Sequence, residues 1–243
     1  MKIVIISSIL LLFLACSETQ TLTPKRYSFA EITEELSDEY ADIIADIKAD
    51  RQDDLKGERA RSFANDPFYQ FYATMDEYDY HRIPLYELDL ETFYSAPSEE
   101  NIQRCIRSTN AVNLMAIKDG EIEMRLIATK SPSGWYDSNA TLDYGKAIGW
   151  LRDTLARAGT KDYKIFTVGG LEWVTYDRGG KTRYFTITGQ PYTPGQFCEY
   201  CVEKYNQGQE FRKTILENPE LFPDLHKQLM EEMGKSPTEQ TKQ

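Results

Sequence analysis

Histidine is scarce in this chain, with His81 and His226 the two examples in 243 residues, and that leaves few ways to assemble a Ser-His or Cys-His nucleophile pair. No Gly-x-Ser-x-Gly elbow, Walker phosphate loop or His-Glu-x-x-His helix occurs, so three common hydrolytic and nucleotide-binding chemistries lack their motifs. Thr167-Val-Gly-Gly170 is too short for a phosphate cradle, and Asp50-Arg-Gln-Asp53-Asp54 lacks the glycine and spaced oxygen ligands of a calcium loop. Four cysteines stand at no finger-like spacing from either histidine, so neither zinc nor another cofactor is expected. Basic residues are outnumbered, 28 against 39 acids for a net charge of -11, and form no stripe; a nucleic-acid partner is thereby excluded. Beyond residue 15 no apolar run approaches the roughly 20 residues of a membrane-spanning helix. Internal repeats and low-complexity blocks are also missing.

What the chain does have begins at its N-terminus. Lys2 precedes an apolar run, Ile3 to Leu14, that closes on Ala15 and Cys16. This run is too short to span a bilayer and has the make-up of a secretory signal. It resembles the signal of a bacterial lipoprotein precursor of the Bacteroidota kind, and Phe13-Leu14-Ala15-Cys16 resembles the lipobox, with Phe13 where Leu is usual. The resemblance implies removal of residues 1–15, lipid on Cys16, and a membrane partner reached through that lipid in the cell envelope. Residues 16–27 read as a flexible tether reaching at most about 35 Å. Glu18 is the one acid close behind Cys16, so the outer membrane, facing the periplasm, is the expected location.

Residues 28–82 read as a helical segment. Ser28 and Glu31 make a capping box ahead of Ile32, Leu36, Tyr40, Ile43, Ile44 and Ile47, which predicts one long helix from 29 to about 62. Its outer face carries Glu31, Glu35, Asp38, Glu39, Asp42, Asp46 and Asp50, either a solvated face or a ridge for a basic protein partner. Asp66-Pro67 opens a short aromatic helix. From 83 to 234 the pattern is an α+β domain. Leu85 to Glu91 alternates as a strand with Glu87, Asp89 and Glu91 on its wet side, and Ser98 opens a short helix. Ala111–Ile117 and Glu121–Thr129 form a hairpin about Asp119-Gly120, whose register predicts Ile117 opposite Ile122 and Met115 opposite Met124. Residues 131–138 read as a loop displaying Trp135 and Tyr136. Asn139 then caps a helix striped by Tyr144, Ile148, Leu151 and Leu155 and stopped by Gly159. Strands at 163–168, 171–176 and 181–188 follow, joined by glycine pairs, and Thr193-Pro194 starts a helical C-terminal segment reaching Gly234. Residues 235–243 read as disordered. The expected fold is an antiparallel sheet of about five to six strands covered by helices. From 98 to 216 the element order of helix, hairpin, helix, three-strand meander and helix resembles the roadblock and longin group, which implies that architecture and nothing about function.

Two constellations can carry chemistry. Cys198-Glu-Tyr-Cys201 at a helix start has the spacing of a disulfide or redox pair, and Cys105 offers a second bridging partner. Trp135 and Tyr136 can stack on a sugar or another planar ligand. The leading expectation is a non-enzymatic binding or interaction module, an assembly subunit or an immunity-type protein. A thiol-disulfide oxidoreductase using Cys198 and Cys201 is the alternative, and glycan binding is a third reading.

Overall fold

The computed structural model describes residues 25–52, 55–56, 63 and 65–234. The signal at 1–15, Cys16, most of the tether and the tail at 235–243 lie outside the described residues. Within them the protein is α+β, with eight helices and a nine-stranded, mostly antiparallel open sheet. The sheet has more strands than the sequence pattern predicts because three further segments, 34–35, 134–142 and 191–192, pair with it.

The long N-terminal helix is not one helix. Helix α1 (Phe29–Ile32) stops at Thr33, two residues pair as β1 (Glu34–Glu35), a 3-10 turn covers Asp38–Tyr40, and α2 runs Ala41–Arg51. The capping box at Ser28 and Glu31 is present. Local periodicity yields here to strand pairing: Glu34 and Glu35 sit opposite Arg82 and His81, and Leu36 N donates to the Tyr80 carbonyl. The expected acidic ridge is divided with the helix, and Asp46 turns inward, where its Oδ2 accepts from Trp135 N at 2.9 Å. Residues 53–54 and 57–62 of the predicted helix lie outside the described residues.

Helix α3 (Pro67–Ala73) is capped by Asp66, and β2 spans Asp79–Leu88. Asp89 lies beyond β2, where it caps α4 (Leu90–Ser95) by accepting from Thr92 N at 2.9 Å. Helix α5 (Glu99–Cys105) leads into β3 (Ile106–Lys118), β4 (Glu121–Ser131) and β5 (Gly134–Leu142). Both residues of the Asp119-Gly120 turn have positive φ, 52° and 82°, as a type I′ hairpin requires. The expected loop at 131–138 is mostly β5, so a third strand joins the hairpin and the element order shared with the roadblock and longin group gains a strand. Asn139 accordingly lies within β5, and α6 (Tyr144–Ala158) starts after Asp143 and ends at Gly159. Strands β6 (Tyr163–Val168), β7 (Leu171–Arg178), β8 (Lys181–Thr186) and β9 (Pro191–Tyr192) complete the sheet, followed by α7 (Pro194–Glu217) and α8 (Pro223–Gly234).

Strand order is β5-β4-β3-β2-β6-β7-β8-β9, with β1 alongside β2. Two antiparallel meanders thus meet where β2 and β6 run parallel. One sheet face packs on α6, whose Ile148, Leu151 and Leu155 meet Ile83, Met115, Ile165 and Val174. The other face is covered in two halves. Ile43 and Ile47 of α2 and Phe71 of α3 lie on Leu114, Met124 and Leu126, whereas Phe93, Ile102, Phe197 and Cys201 lie on Phe166, Trp173 and Tyr184.

Ile117 does pair with Ile122, but Met115 sits opposite Arg125 and Ala116 opposite Met124. Glu123 is the extra residue of a bulge that reverses which face the following side chains take. Arg125 consequently points under α6, where its guanidinium lies 4.3 Å from the Tyr144 ring centroid and its Nε donates to Asn113 Oδ1 at 2.8 Å. The same guanidinium pairs with the Glu172 carboxylate, which also accepts from Tyr144 Oη at 3.3 Å. Burial and the Glu172 charge push the Tyr144 hydroxyl well above its ordinary value.

Candidate ligand cleft

Pro84 lies inside a central strand, where a residue without N–H cannot complete the ladder. Opposite it β3 loosens: Pro84 pairs with Val112 and Tyr86 with Ser108, so Thr109, Asn110 and Ala111 face Leu85 alone. Thr109 holds this bulge, its Oγ1 donating to the Leu85 carbonyl at 2.9 Å and accepting from Ala111 N at 3.2 Å. The bulge lies on the sheet face that α2 and α7 cover only in part, and there it floors an open cleft of about 430 Å³. This is within the range of small-molecule sites.

The walls come from separate elements. Tyr40 ends the 3-10 turn, Arg82 stands on β2, and Lys130 and Trp135 face each other across β4 and β5. Each cation is paired with a ring: the Arg82 guanidinium is 4.7 Å from the Tyr40 centroid and Lys130 Nζ is 5.5 Å from the Trp135 ring. Tyr40 and Trp135 also meet edge to face at 6.2 Å. Arg82 binds Glu34 at 2.6 Å on its outer side, while Lys130 is exposed with no carboxylate partner among the described residues. Arg82 Nε and Trp135 Nε1 are buried and have no hydrogen-bond partner among the described residues. An unsatisfied buried donor costs about 1–3 kcal/mol.

Trp135 is locked in place through its backbone by Asp46. Gly134 permits that approach: its φ is +122°, and a Cβ there would stand 2.9 Å from Asp46 Oδ2. The tryptophan is 7% exposed, so it forms a wall of the cleft and is not displayed on a loop. Tyr136 is exposed and does not line the cleft, since strand alternation sends it to the opposite face. One planar ligand therefore cannot stack on both rings.

Charge separates this cleft from its neighbours. Its charged lining is Arg82 and Lys130, with no carboxylate. Of three other clefts, one beside α3 carries Glu123, one beside α1 carries Glu31, Glu34 and Asp162, and one beside Cys198 carries Glu99, Glu199 and Glu203. Two cations with no lining acid stand out in a chain of net charge -11.

The expected disulfide is not formed: Cys105, Cys198 and Cys201 are all free. Cys201 lies in the core against the β6–β8 half of the sheet. Burial pushes its thiol up to about 12, and burial with Glu99 and Glu199 raises that of Cys198. A redox dithiol needs the reverse, an electropositive site that stabilises thiolate. The helix start faces carboxylates and aromatic rings, and those neighbours govern the thiols.

The indole wall was legible as Trp135. Tyr40 reads from sequence as part of a helix stripe and Arg82 and Lys130 carry no motif, because the β2 strand that contains Pro84 begins at Asp79, six residues before the alternating pattern does. The chain matches no protein-family model, no curated protein and no solved structure.

Proposed function

We propose that the protein is a non-enzymatic binding module of a bacterial envelope, held to the periplasmic side of the outer membrane by lipid on Cys16, and that its α+β domain holds a small ligand in the cleft at Arg82, Lys130, Tyr40 and Trp135. The observation that carries this reading is the lining itself. It combines cations with aromatic rings on a strand bulge, and no histidine or carboxylate in that lining stands ready to take a proton from Ser108 or Thr109. Such a set recognises a ligand without activating a nucleophile. The thiol-disulfide alternative draws no support from Cys198 and Cys201, whose thiols are both shifted away from thiolate.

A ligand at 100 times its Kd stabilises the folded state by about 2.7 kcal/mol, which is roughly 5–11 °C in Tm for a domain of this size. A thermal-shift panel of sugars, organic acids, amino acids and nucleotides should contain a compound that raises Tm in the wild type and does so far less in Arg82→Gln. If every stabilising compound acts equally on both, the cleft is not the binding site. Anchoring is tested separately, by incorporation of a labelled fatty acid that Cys16→Ser should abolish; unchanged labelling would refute the lipid site.

A further inference from the structure

We infer that the ligand is an anionic sugar or polyol of about monosaccharide size, its acid borne as carboxylate or phosphate; the inference rests on the cleft being the binding site. Three observations combine. The cleft carries Lys130 with no carboxylate partner among the described residues, beside Arg82, which Glu34 holds at 2.6 Å from outside the lining, so an anion gains an uncompensated lysine and a shared arginine and displaces no lining acid. Trp135 and Tyr40 contribute ring surface to the lining, of the kind that meets a sugar's C–H face. Along the floor the β3 bulge carries Ser108 and Asn110, both exposed in the lining, so side chains able both to donate and to accept lie where ligand hydroxyls would meet them, while the Thr109 hydroxyl stays on the Leu85 carbonyl. A bare inorganic anion would use the cations and leave the rings and floor unused. A neutral sugar would use the floor and leave Lys130 unmatched. The volume of about 430 Å³ suits one ring with its charged substituent better than a long chain.

The test uses the full chain in detergent micelles, labelled with 15N, following the indole N–H resonances of Trp135, Trp150 and Trp173, with Trp135 assigned by its loss in Trp135→Phe. Probes are glucuronate, glucose 6-phosphate, glucose and inorganic phosphate. Saturable movement of the Trp135 resonance with glucuronate or glucose 6-phosphate is expected, with glucose and phosphate each at least tenfold weaker; whichever acid binds tighter identifies the carboxylate or the phosphate form. Lys130→Gln, which breaks no ion pair among the described residues, should weaken the favoured acid by tenfold or more, about 1.4 kcal/mol, and leave the Trp150 and Trp173 indole resonances of the free protein in place. Glucose binding as tightly as the acids, or phosphate as tightly as the sugar acids, overturns the anionic sugar while the cleft remains a ligand site. No movement of Trp135 with any of the four probes also overturns it. In that case the panel and Arg82→Gln comparison decide separately whether the cleft binds anything.

Discussion

Replacing Arg125 with Met should be among the most damaging single changes in the β3–β4 half of the sheet. The Arg125 side chain is 5% exposed and that of Glu172 13%, and the two meet beneath α6. Without the guanidinium the Glu172 carboxylate keeps Tyr144 Oη as donor at 3.3 Å, and Asn113 Oδ1 loses its donor. A buried charge left without its partner costs about 3–5 kcal/mol, equivalent to roughly 6–20 °C in Tm at about 2–4 °C per kcal/mol. Glu172→Gln keeps an acceptor for Arg125 and should cost less, about 1–3 kcal/mol. The double replacement Arg125→Met with Glu172→Leu removes both desolvation penalties and should fall within about 1–2 kcal/mol of wild type, far from the sum of the single changes. Urea unfolding followed by circular dichroism, with all variants fitted to a common m-value, supplies the double-mutant cycle. A loss under about 1 kcal/mol for Arg125→Met, or a double variant as unstable as the singles added together, would refute the view that the bulge at Glu123 has placed a mutually dependent ion pair in the core.

Asp46→Ala should cost about 1.5–3 kcal/mol, the range for a hydrogen bond to a charged acceptor, and red-shift the Trp135 contribution to fluorescence, whereas Asp42→Ala on the exposed side of α2 should stay within about 0.5 kcal/mol; equal effects would restore the solvated acidic ridge. At Asp89, burial raises the pKa but hydrogen bonds from Thr92 and the charge of Arg107 outweigh it, so the folded value lies below the ordinary carboxylate range. Its stabilisation is therefore present above the unfolded pKa of about 3.9 and is lost as pH falls through the folded value. Asp89→Ala should cost about 0.5–2 kcal/mol at pH 7 and progressively less as pH falls below about 3.9, a convergence that acid unfolding curves check. The Cys201 thiol runs the other way: its folded pKa is raised to about 12, so its contribution is complete below the unfolded value of about 8.5 and fades as pH rises toward 12. At pH 8 iodoacetamide should modify Cys198 slowly and reach Cys105 and Cys201 only in urea; fast labelling of Cys201 in the native protein, read by peptide mass, would contradict its burial.

What the sequence showed plainly was what neighbouring residues decide among themselves. The Ser28–Glu31 capping box, the helix start at Thr193-Pro194, the positive-φ turn at Asp119-Gly120 and the stop at Gly159 are encoded within a few positions, and each is present. The stripe of Ile148, Leu151 and Leu155 shows which face of α6 is buried because helix period and burial agree there. Prediction broke down where a distant segment competes with local preference. Residues 34–35 leave a good helical pattern because β2 offers strand pairing, and 134–142 leave a turn-like pattern because β4 offers a ladder. Periodicity cannot see either partner.

The cleft belongs to this second kind of information, and its origin accounts for its invisibility. Pro84 costs the central sheet a hydrogen bond, and the β3 bulge accommodates that loss with Thr109 in place of the missing ladder. A bulge that served stability alone needs no particular surroundings. Here the 3-10 turn, β2 and the β4–β5 hairpin place Tyr40, Arg82, Lys130 and Trp135 around it, Arg82 lying about 40 residues or more along the chain from each of the other three, and Asp46 and Gly134 fix the indole from behind. None of the four has a spacing that a motif can record, because each comes from its own strand or turn. Their shared property is chemical, cation beside ring in an acidic protein, and it becomes visible only once the β2–β5 register is known. Sites assembled across a sheet in this way are recognised by how their side chains converge.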